Sequence, residues 1–177
     1  PTDDIQYPER PVDKKENYIK RCVGLPGDVL EIKESELYVN GEPQAKTEGM
    51  ITQFSYHVKT NKIGLNPKIL LKNDITEGGL VSANGDYILH LNEENRPIVE
   101  NFANVKSVNL MVEPSGKRDP QAFPHTEDYT WNIDNLGPLS VPAKGTTVEL
   151  NTTNLAIYER IIEVYEQNSL EVKSNEI

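Results

Sequence analysis

Residues 18–28 read Tyr-Ile-Lys-Arg-Cys-Val-Gly-Leu-Pro-Gly-Asp. The first six are mostly apolar and rich in residues that favour β-strands, and a turn sequence follows them. Pro26 fixes φ at the first central position of a turn, and Gly27 tolerates the positive φ that a type II turn needs at the second. The stretch therefore predicts a short strand over residues 18–23 that ends at a tight turn.

A lysine lies in the middle of this predicted strand. Lys20 shares a strand face with Tyr18 and Cys22, because side chains alternate along a strand. Desolvation by such neighbours disfavours the charged form of a lysine, and a neutral amine can take a proton from a serine hydroxyl. Lys20 is thus a candidate general base. The alternative, which the residues alone leave open, is a strand lysine whose ammonium reaches water.

A hairpin is predicted directly after the turn. Val29–Lys33 and Glu36–Val39 both have the alternation of strands, and Asn40-Gly41 is a strong tight-turn sequence. The order of these segments, a lysine strand, a turn and a hairpin, indicates a compact β unit at the start of the chain.

Residues 17–42 resemble the lysine-bearing conserved box of bacterial type I signal peptidases and the hairpin that follows it. The resemblance implies a partial antiparallel β catalytic lobe. It implies that Lys20 is the general base of a Ser/Lys dyad that removes signal peptides from exported preproteins. It also implies that Arg21 is a structural arginine near the active site, and that Asn17, Tyr18 and Ile19 line the pocket for the small residue before the cleavage site.

The chain departs from this family in two places. It contains neither the Ser-Met-x-Pro segment that carries the nucleophile nor the final Gly-Asp-Asn-Arg-type box. The serines, none of which has the nucleophile's sequence context, are Ser35, Ser55, Ser82, Ser107, Ser115, Ser140, Ser169 and Ser174. We therefore expect an internal piece of a signal peptidase that is inactive by itself, with Lys20 exposed or loosely packed.

The resemblance also implies where the parent protein works. It would be anchored in the inner membrane with its catalytic domain on the periplasmic or extracytoplasmic side, and its partners would be the signal peptides of preproteins. The anchor is expected outside these 177 residues, since no apolar run approaches the roughly 20 residues of a spanning helix. The resemblance leaves substrate preference and oligomeric state open.

Composition excludes several other function classes. The net charge of −10 argues against nucleic-acid binding, which depends on basic surface. A single cysteine, Cys22, rules out an internal disulfide and a cysteine-based zinc cluster, and its apolar strand predicts packing rather than a catalytic thiol. His57, His90 and His125 lack metal-ligand spacing, so we expect no metal and no cofactor.

Three regions are predicted. Residues 1–44 form part of the catalytic lobe, 45–113 an α+β insert that makes a second lobe, and 114–177 a long connecting loop with a short strand and an amphipathic C-terminal helix. The predicted strands beyond the hairpin are 50–59, 87–91, 106–112 and 148–150, and the predicted helices are Pro67–Lys72, 93–102 and 154–167. Gly78-Gly79 indicates a turn. The fold class is therefore mainly β with an α+β insert.

Two other functions remain compatible with the residues. One is a non-catalytic relative that binds extended peptides by strand addition to the same β scaffold. The other is a repressor-type Ser/Lys autoprotease, which resembles the peptidases in scaffold but has no membrane span before its nucleophile. The complete reading frame would separate these alternatives from a signal peptidase.

Overall fold

The structure is a computed structural model that describes Pro11 and residues 20–172. Its elements in chain order are β1 (Val29–Lys33), β2 (Glu36–Val39), β3 (Glu42–Pro43), β4 (Phe54–Thr60), α1 (Pro67–Lys72), β5 (Gly78–Ser82), β6 (Asp86–Leu91), α2 (Arg96–Glu100), β7 (Val105–Leu110), β8 (Leu136–Ser140), α3 (Leu155–Arg160) and a π-helical turn (Ile161–Tyr165). Two four-stranded antiparallel sheets dominate, which confirms the predicted mainly β fold class.

Sheet A has the strand order β3-β2-β1-β8. Leu30 of β1 faces Val39 of β2, so the predicted hairpin is confirmed with its apolar side chains in register. Asn40-Gly41 makes the turn to β3 as predicted. The fourth strand, β8, joins the other side of β1 from far along the chain, with Leu139 opposite Leu30.

Sheet B has the strand order β5-β6-β4-β7 and is built entirely from residues 54–110. Burial of an aliphatic side chain stabilises a fold by about 1.5–3 kcal/mol, and the buried ones lie on this sheet or in the helix and loops that pack against it. The buried aliphatic side chains of the described residues are Val58, Leu65, Ile75, Leu89, Leu91 and Val99. The core therefore lies on sheet B, whereas the apolar side chains of sheet A are only half-buried.

Helix α1 begins and ends where the sequence predicts. The Asn66 side chain accepts a hydrogen bond from the backbone N–H of Lys68 at 3.0 Å, and Pro67 occupies the first helical position. The cap satisfies a donor that the helix leaves unpaired, and proline has no such donor to satisfy. Local sequence is sufficient to set this short helix.

Two predicted strands are wrong within the described residues. Residues 20–23 and 148–150 have irregular backbone, while residues 18 and 19 lie outside the described residues. Neither segment pairs with a strand of sheet A or sheet B. An apolar run becomes a strand only where a neighbour completes its backbone hydrogen bonds, and composition does not reveal that neighbour.

Three strands, the short β3 together with β5 and β8, were not predicted. Gly78-Gly79 has the composition of a turn, yet it begins β5. A Cβ at Gly78 would lie 2.2 Å from the Ile88 carbonyl oxygen, so only glycine permits this pairing with β6. Strand β8 interrupts the long connecting loop that is predicted to precede the strand 148–150. It forms because β1 offers a free edge, which no local pattern indicates.

The other boundaries shift. Strand β4 begins at Phe54, so residues 50–53 of the predicted strand are irregular, and β7 ends at Leu110 rather than at residue 112. The predicted helix 93–102 shortens to Arg96–Glu100, since Asn92 and Asn95 hold the residues before it in a turn through side-chain hydrogen bonds of 2.8 Å.

The C-terminal helix also differs from its prediction. It is α-helical only over Leu155–Arg160 and then widens into the π-helical turn. Its apolar stripe is not a buried core face, because Ile161 is 46% exposed and Tyr165 is 71% exposed. Across residues 20–172, every helix is too short or too polar to span a membrane.

The division of the chain into the regions 1–44, 45–113 and 114–177 stays a prediction.

Candidate functional site

The segment that carries the candidate lysine lies at the surface. Lys20, Arg21 and Cys22 are all exposed, and the backbone from Lys20 to the turn is irregular. The Cys22 thiol donates a hydrogen bond to the Gly24 carbonyl oxygen at 3.3 Å. The expectation that Cys22 packs in an apolar layer is therefore wrong, because the strand that would have buried it does not form here. Asn17, Tyr18 and Ile19 lie outside the described residues.

The turn that follows this segment forms as predicted. The Asp28 N–H donates to the Leu25 carbonyl oxygen at 3.0 Å, and Gly27 has φ of +100°. A second bond closes the turn from the side chain, since the Leu25 N–H donates to Asp28 Oδ2 at 2.7 Å. Residues 25–28 thus have a fixed geometry that local sequence determines.

The same turn is bound to the strand region that follows β8. The Gly27 N–H donates to the Val141 carbonyl oxygen at 2.8 Å, and the Val141 N–H donates to the Asp28 carbonyl oxygen at 2.8 Å. This reciprocal pair extends the β1–β8 ladder by one step beyond Ser140. The position of the turn therefore depends on a contact with a distant segment, which the sequence did not predict.

The Asp28 carboxylate also reaches the turn between β2 and β3. Asn40 Nδ2 donates to Asp28 Oδ1 at 2.8 Å, while Asn40 Oδ1 accepts from the Val29 N–H at 2.9 Å. The hydrogen bond from the Leu25 backbone, and after it the one from Asn40, hold the pKa of the Asp28 carboxyl below its usual range. Both favour the charged form.

A groove of about 850 Å³ lies between the two sheets. Val23, three residues from Lys20, lines it together with side chains of both sheets. Its apolar lining residues are Val23, Ile32, Leu37, Phe54, Leu110, Met111, Val112 and Ile133. This volume falls in the range of ligand-binding clefts, about 300–1,000 Å³.

Polar groups in the groove form two local pairs. Ser55 Oγ lies 3.3 Å from His90 Nδ1, across the β4–β6 ladder where the two residues are direct neighbours. Ser35 Oγ donates to Asp134 Oδ1 at 2.5 Å, and the Glu113 N–H donates to Asp134 Oδ2 at 2.8 Å. Asp134 thereby connects the loop after β1 to the loop after β7. The Ser55–His90 pair depends on strand register, whereas the contacts of Asp134 join loops that are distant in sequence, and none of them was predicted.

A surface ion pair joins the two sheets beside the groove. Lys46, just after β3, donates to Glu93, which follows β6. The hydrogen bond and charge of Glu93 raise the pKa of Lys46, and the same contact with Lys46 lowers the pKa of Glu93. Both side chains are mostly exposed, so solvent and salt screen the pair.

The three histidines do not converge. His57 is on β4, with Nε2 3.9 Å from Asp86 Oδ1, whereas His90 is on β6 and His125 lies in the loop before β8. In the part of the chain that the structure describes, no group of three His, Cys, Asp or Glu side chains could hold a metal ion.

Comparison with known proteins connects this geometry to a family. The sequence model of the family described as signal peptidase, peptidase S26, matches residues 4–103, which include Lys20 and the turn at 25–28. That match covers more than half of the chain. No solved structure matches this chain.

Curated relatives match over a shorter stretch. The chain is similar to signal peptidase I P of Bacillus subtilis subsp. natto, with 53% identity over 30 residues, or 17% of this chain and 16% of that protein. It is similar to signal peptidase I of Bacillus amyloliquefaciens, with 48% identity over 29 residues, or 16% of each. It is also similar to signal peptidase IB of Staphylococcus aureus strain Mu50, with 52% identity over 31 residues, or 18% of this chain and 16% of that protein. The chain thus covers about a sixth of the length of these relatives.

Proposed function

Because this chain belongs to the signal peptidase family, peptidase S26, we propose that the protein it forms part of removes signal peptides from exported preproteins as a membrane-bound endopeptidase. One observation supports this most. The family match includes Lys20, and the turn that follows Lys20 is fixed by hydrogen bonds to Val141 and Asn40. A general base has to be held in place relative to its substrate, and this turn fixes the C-terminal end of the segment that carries Lys20.

The proposed chemistry is that of a Ser/Lys dyad. A neutral Lys20 amine takes the proton from a serine hydroxyl as the oxygen attacks the scissile carbonyl carbon, and the resulting ammonium returns the proton to the leaving amine. Arg21 supports the site by pairing with an acidic group. Asn17, Tyr18 and Ile19 line the pocket for the small residue before the cleaved bond.

The serine is proposed to come from sequence outside these 177 residues. All eight serines lack the Ser-Met-x-Pro context. Lys20 is exposed, and desolvation by covering groups is one way in which a lysine amine becomes neutral and able to act as a base. We accordingly propose that these residues alone hydrolyse no peptide, and that the rest of the protein and the substrate cover the lysine.

A lysine substitution in the complete protein tests the proposal. Lys20→Ala should lower presequence cleavage by at least about a thousandfold, because the proposed mechanism gives the serine proton to this amine alone. Lys68→Ala is the matched control, since Lys68 is an exposed lysine on helix α1. Cleavage would be followed by mass spectrometry of the processed preprotein. Unimpaired processing by the Lys20→Ala protein would disprove the assignment of Lys20 as the base.

A further inference from the structure

The edge strands of the two described sheets differ in how they are protected. An edge strand presents unpaired backbone N–H and C=O groups, and proteins block such edges with proline, lysine or very short strands. In sheet A, β3 has only two residues and ends at Pro43, while β8 has Pro138 at its centre. In sheet B, β7 carries the exposed Lys106, and helix α2 packs against this strand. These three edges are therefore protected.

Strand β5 forms the other edge of sheet B, and it has no such protection. Its sequence is Gly-Gly-Leu-Val-Ser, without proline or a charged residue. Its first four residues are exposed, with Leu80 at 59% and Val81 at 54%. A Cβ at Gly79 would have no neighbour within 4 Å, so the surface is open at this point. An exposed apolar edge of this kind is a template for another strand.

The backbone groups of Leu80 are directed toward this free edge. The His90 N–H donates to the Glu77 carbonyl oxygen at 3.2 Å, just before β5 begins, so Glu77 and His90 face each other as a hydrogen-bonded pair. Such pairs alternate with non-hydrogen-bonded pairs along an antiparallel ladder. Gly79 therefore bonds to β6, whereas the N–H and C=O of Leu80 are directed away from it. Leu80 offers one donor and one acceptor to a further strand.

The open surface beside this edge indicates which chain supplies that strand. A foreign peptide bound by strand addition is selected by pockets for its side chains. The groove between the sheets contains no residue of β5, and the open space at Gly79 offers nothing that would select a particular side chain. A second copy of this chain needs no pocket, because a two-fold axis makes one edge complementary to itself.

We propose that two copies of this chain associate through β5, with Leu80 of each copy opposite Leu80 of the other across a two-fold axis. The copies then exchange two N–H···O bonds at Leu80, and the two exposed leucine side chains contact each other. Counted outward, Gly78 lies opposite Ser82 of the second copy, and the nearest charged residue, Glu77, lies opposite Ala83. The pairing thus opposes no like charges, and it joins the two copies of sheet B into one continuous sheet.

Sedimentation of the 177-residue chain at increasing concentration tests this pairing. A single short strand pair is a small interface, so we expect a monomer at about 10 μM and a rising fraction of dimer toward about 500 μM. Leu80→Lys should weaken the association by about tenfold or more, because it places two ammonium groups opposite each other. Leu71→Lys and Ile133→Lys are matched controls that change the net charge equally at positions 65% and 72% exposed outside β5, and they should leave the association unchanged.

Salt dependence is a second measurement of the same contact. The paired segment is uncharged, whereas the whole chain has a net charge of −10, so the two copies repel each other outside the contact. Raising the ionic strength should therefore strengthen the dimer by screening this repulsion. An association that weakens with salt would depend on opposite charges, and the pairing through β5 would be wrong.

Disulfide formation by Leu80→Cys tests the register. The variant is made together with Cys22→Ser, because Cys22 is a free, exposed thiol. Residues in a hydrogen-bonded antiparallel pair have Cα atoms about 5.5 Å apart, a distance that a disulfide bridges. Oxidation by diamide should link the Leu80→Cys chains into dimers on non-reducing electrophoresis, whereas Leu71→Cys chains should stay monomeric.

Thermal unfolding checks that Leu80→Lys leaves the fold as stable as Leu71→Lys does, as expected for exposed positions. The inference is wrong if the chain stays monomeric at every concentration, or if Leu80→Cys chains are not linked. It is also wrong if Ile133→Lys weakens the association as much as Leu80→Lys, because the second copy would then occupy the groove between the sheets. These measurements do not involve Lys20 or cleavage, so their failure leaves the proposed function untouched.

Discussion

Asn40 Nδ2 lies 2.8 Å from Asp28 Oδ1, and this hydrogen bond ties the turn after the lysine segment to the turn between β2 and β3. The other oxygen of Asp28 holds the Leu25 N–H, so one carboxylate fixes two turns. Both turns contain a residue at positive φ, Gly27 at +100° and Asn40 at +54°. Asp28 therefore fixes the turn that follows the segment carrying Lys20.

Asp28 should make stability depend on pH in the acid range. The folded state lowers the pKa of this carboxyl, so its contribution is complete above the unfolded pKa, about 3.9, and disappears as the pH falls through the folded value. In urea unfolding, Asp28→Asn should be less stable than the unsubstituted chain at neutral pH, and the difference should shrink as the pH falls below about 4. Asp74→Asn is the matched control, because it removes the same charge at a different place in the chain. A difference independent of pH would contradict this role.

Gly137 should tolerate no side chain. Its φ is +101°, and a Cβ would lie 2.6 Å from the Leu30 carbonyl oxygen, which forces β8 away from β1. Gly137→Ala should lower the free energy of unfolding by about 2–4 kcal/mol, the sum of backbone strain and a lost strand contact. Gly116→Ala is the matched control, because Gly116 has φ of +82° with open space around it and should cost about 1–2 kcal/mol. Equal losses in chemical denaturation would show that the close approach is unimportant.

The core of sheet B should respond strongly to truncation. Leu89 of β6 is 2% exposed within the aliphatic cluster, so Leu89→Ala should destabilise the chain by about 2–5 kcal/mol through lost burial and a cavity. Leu80 on the neighbouring strand β5 is 59% exposed, and Leu80→Ala should change stability by less than about 0.5 kcal/mol. Urea midpoints measure both. Similar effects of the two substitutions would contradict the core as described.

The ion pair between Lys46 and Glu93 should be visible in the titration of one carboxyl. Lys46→Gln should raise the pKa of Glu93 toward its usual range, since the hydrogen bond and the charge of Lys46 are its main perturbations. NMR titration of the Glu93 side chain measures this directly, and high salt should produce part of the same rise. Lys72→Gln, at the end of α1, should leave Glu93 unaffected. If Glu93 titrates identically with and without Lys46, the contact between the sheets is absent in solution.

Local patterns predicted much of the fold. The β1–β2 hairpin, the turn at 25–28 and α1 with its Asn66 cap all match, because each is decided by neighbours within a few residues. The predictions of strands at 20–23 and 148–150 were wrong because a strand also needs a partner that is distant in sequence. Their composition suits a strand, but no partner strand lies beside them in the described part of the chain.

The candidate site likewise has one part that the sequence predicted and one part that it did not. A sequence motif identified Lys20 and Arg21, and their catalytic roles stay predictions. The groove was not foreseen, since its walls come from residues as distant as Val23, Met111 and Ile133. The sequence indicates this groove only through aliphatic residues near strand ends and in loops. Such residues are common on protein surfaces, so they do not predict a groove.

The sequence by itself determined the family, the hairpin and the turn that follows Lys20, because motif order and turn chemistry depend on adjacent residues. Only the tertiary structure decided that β8 closes sheet A, that Val141 binds the turn, and that a groove opens between the sheets. Those features depend on strand pairing between distant segments. The free energy of such a pairing comes from side chains and backbone groups that meet only after folding.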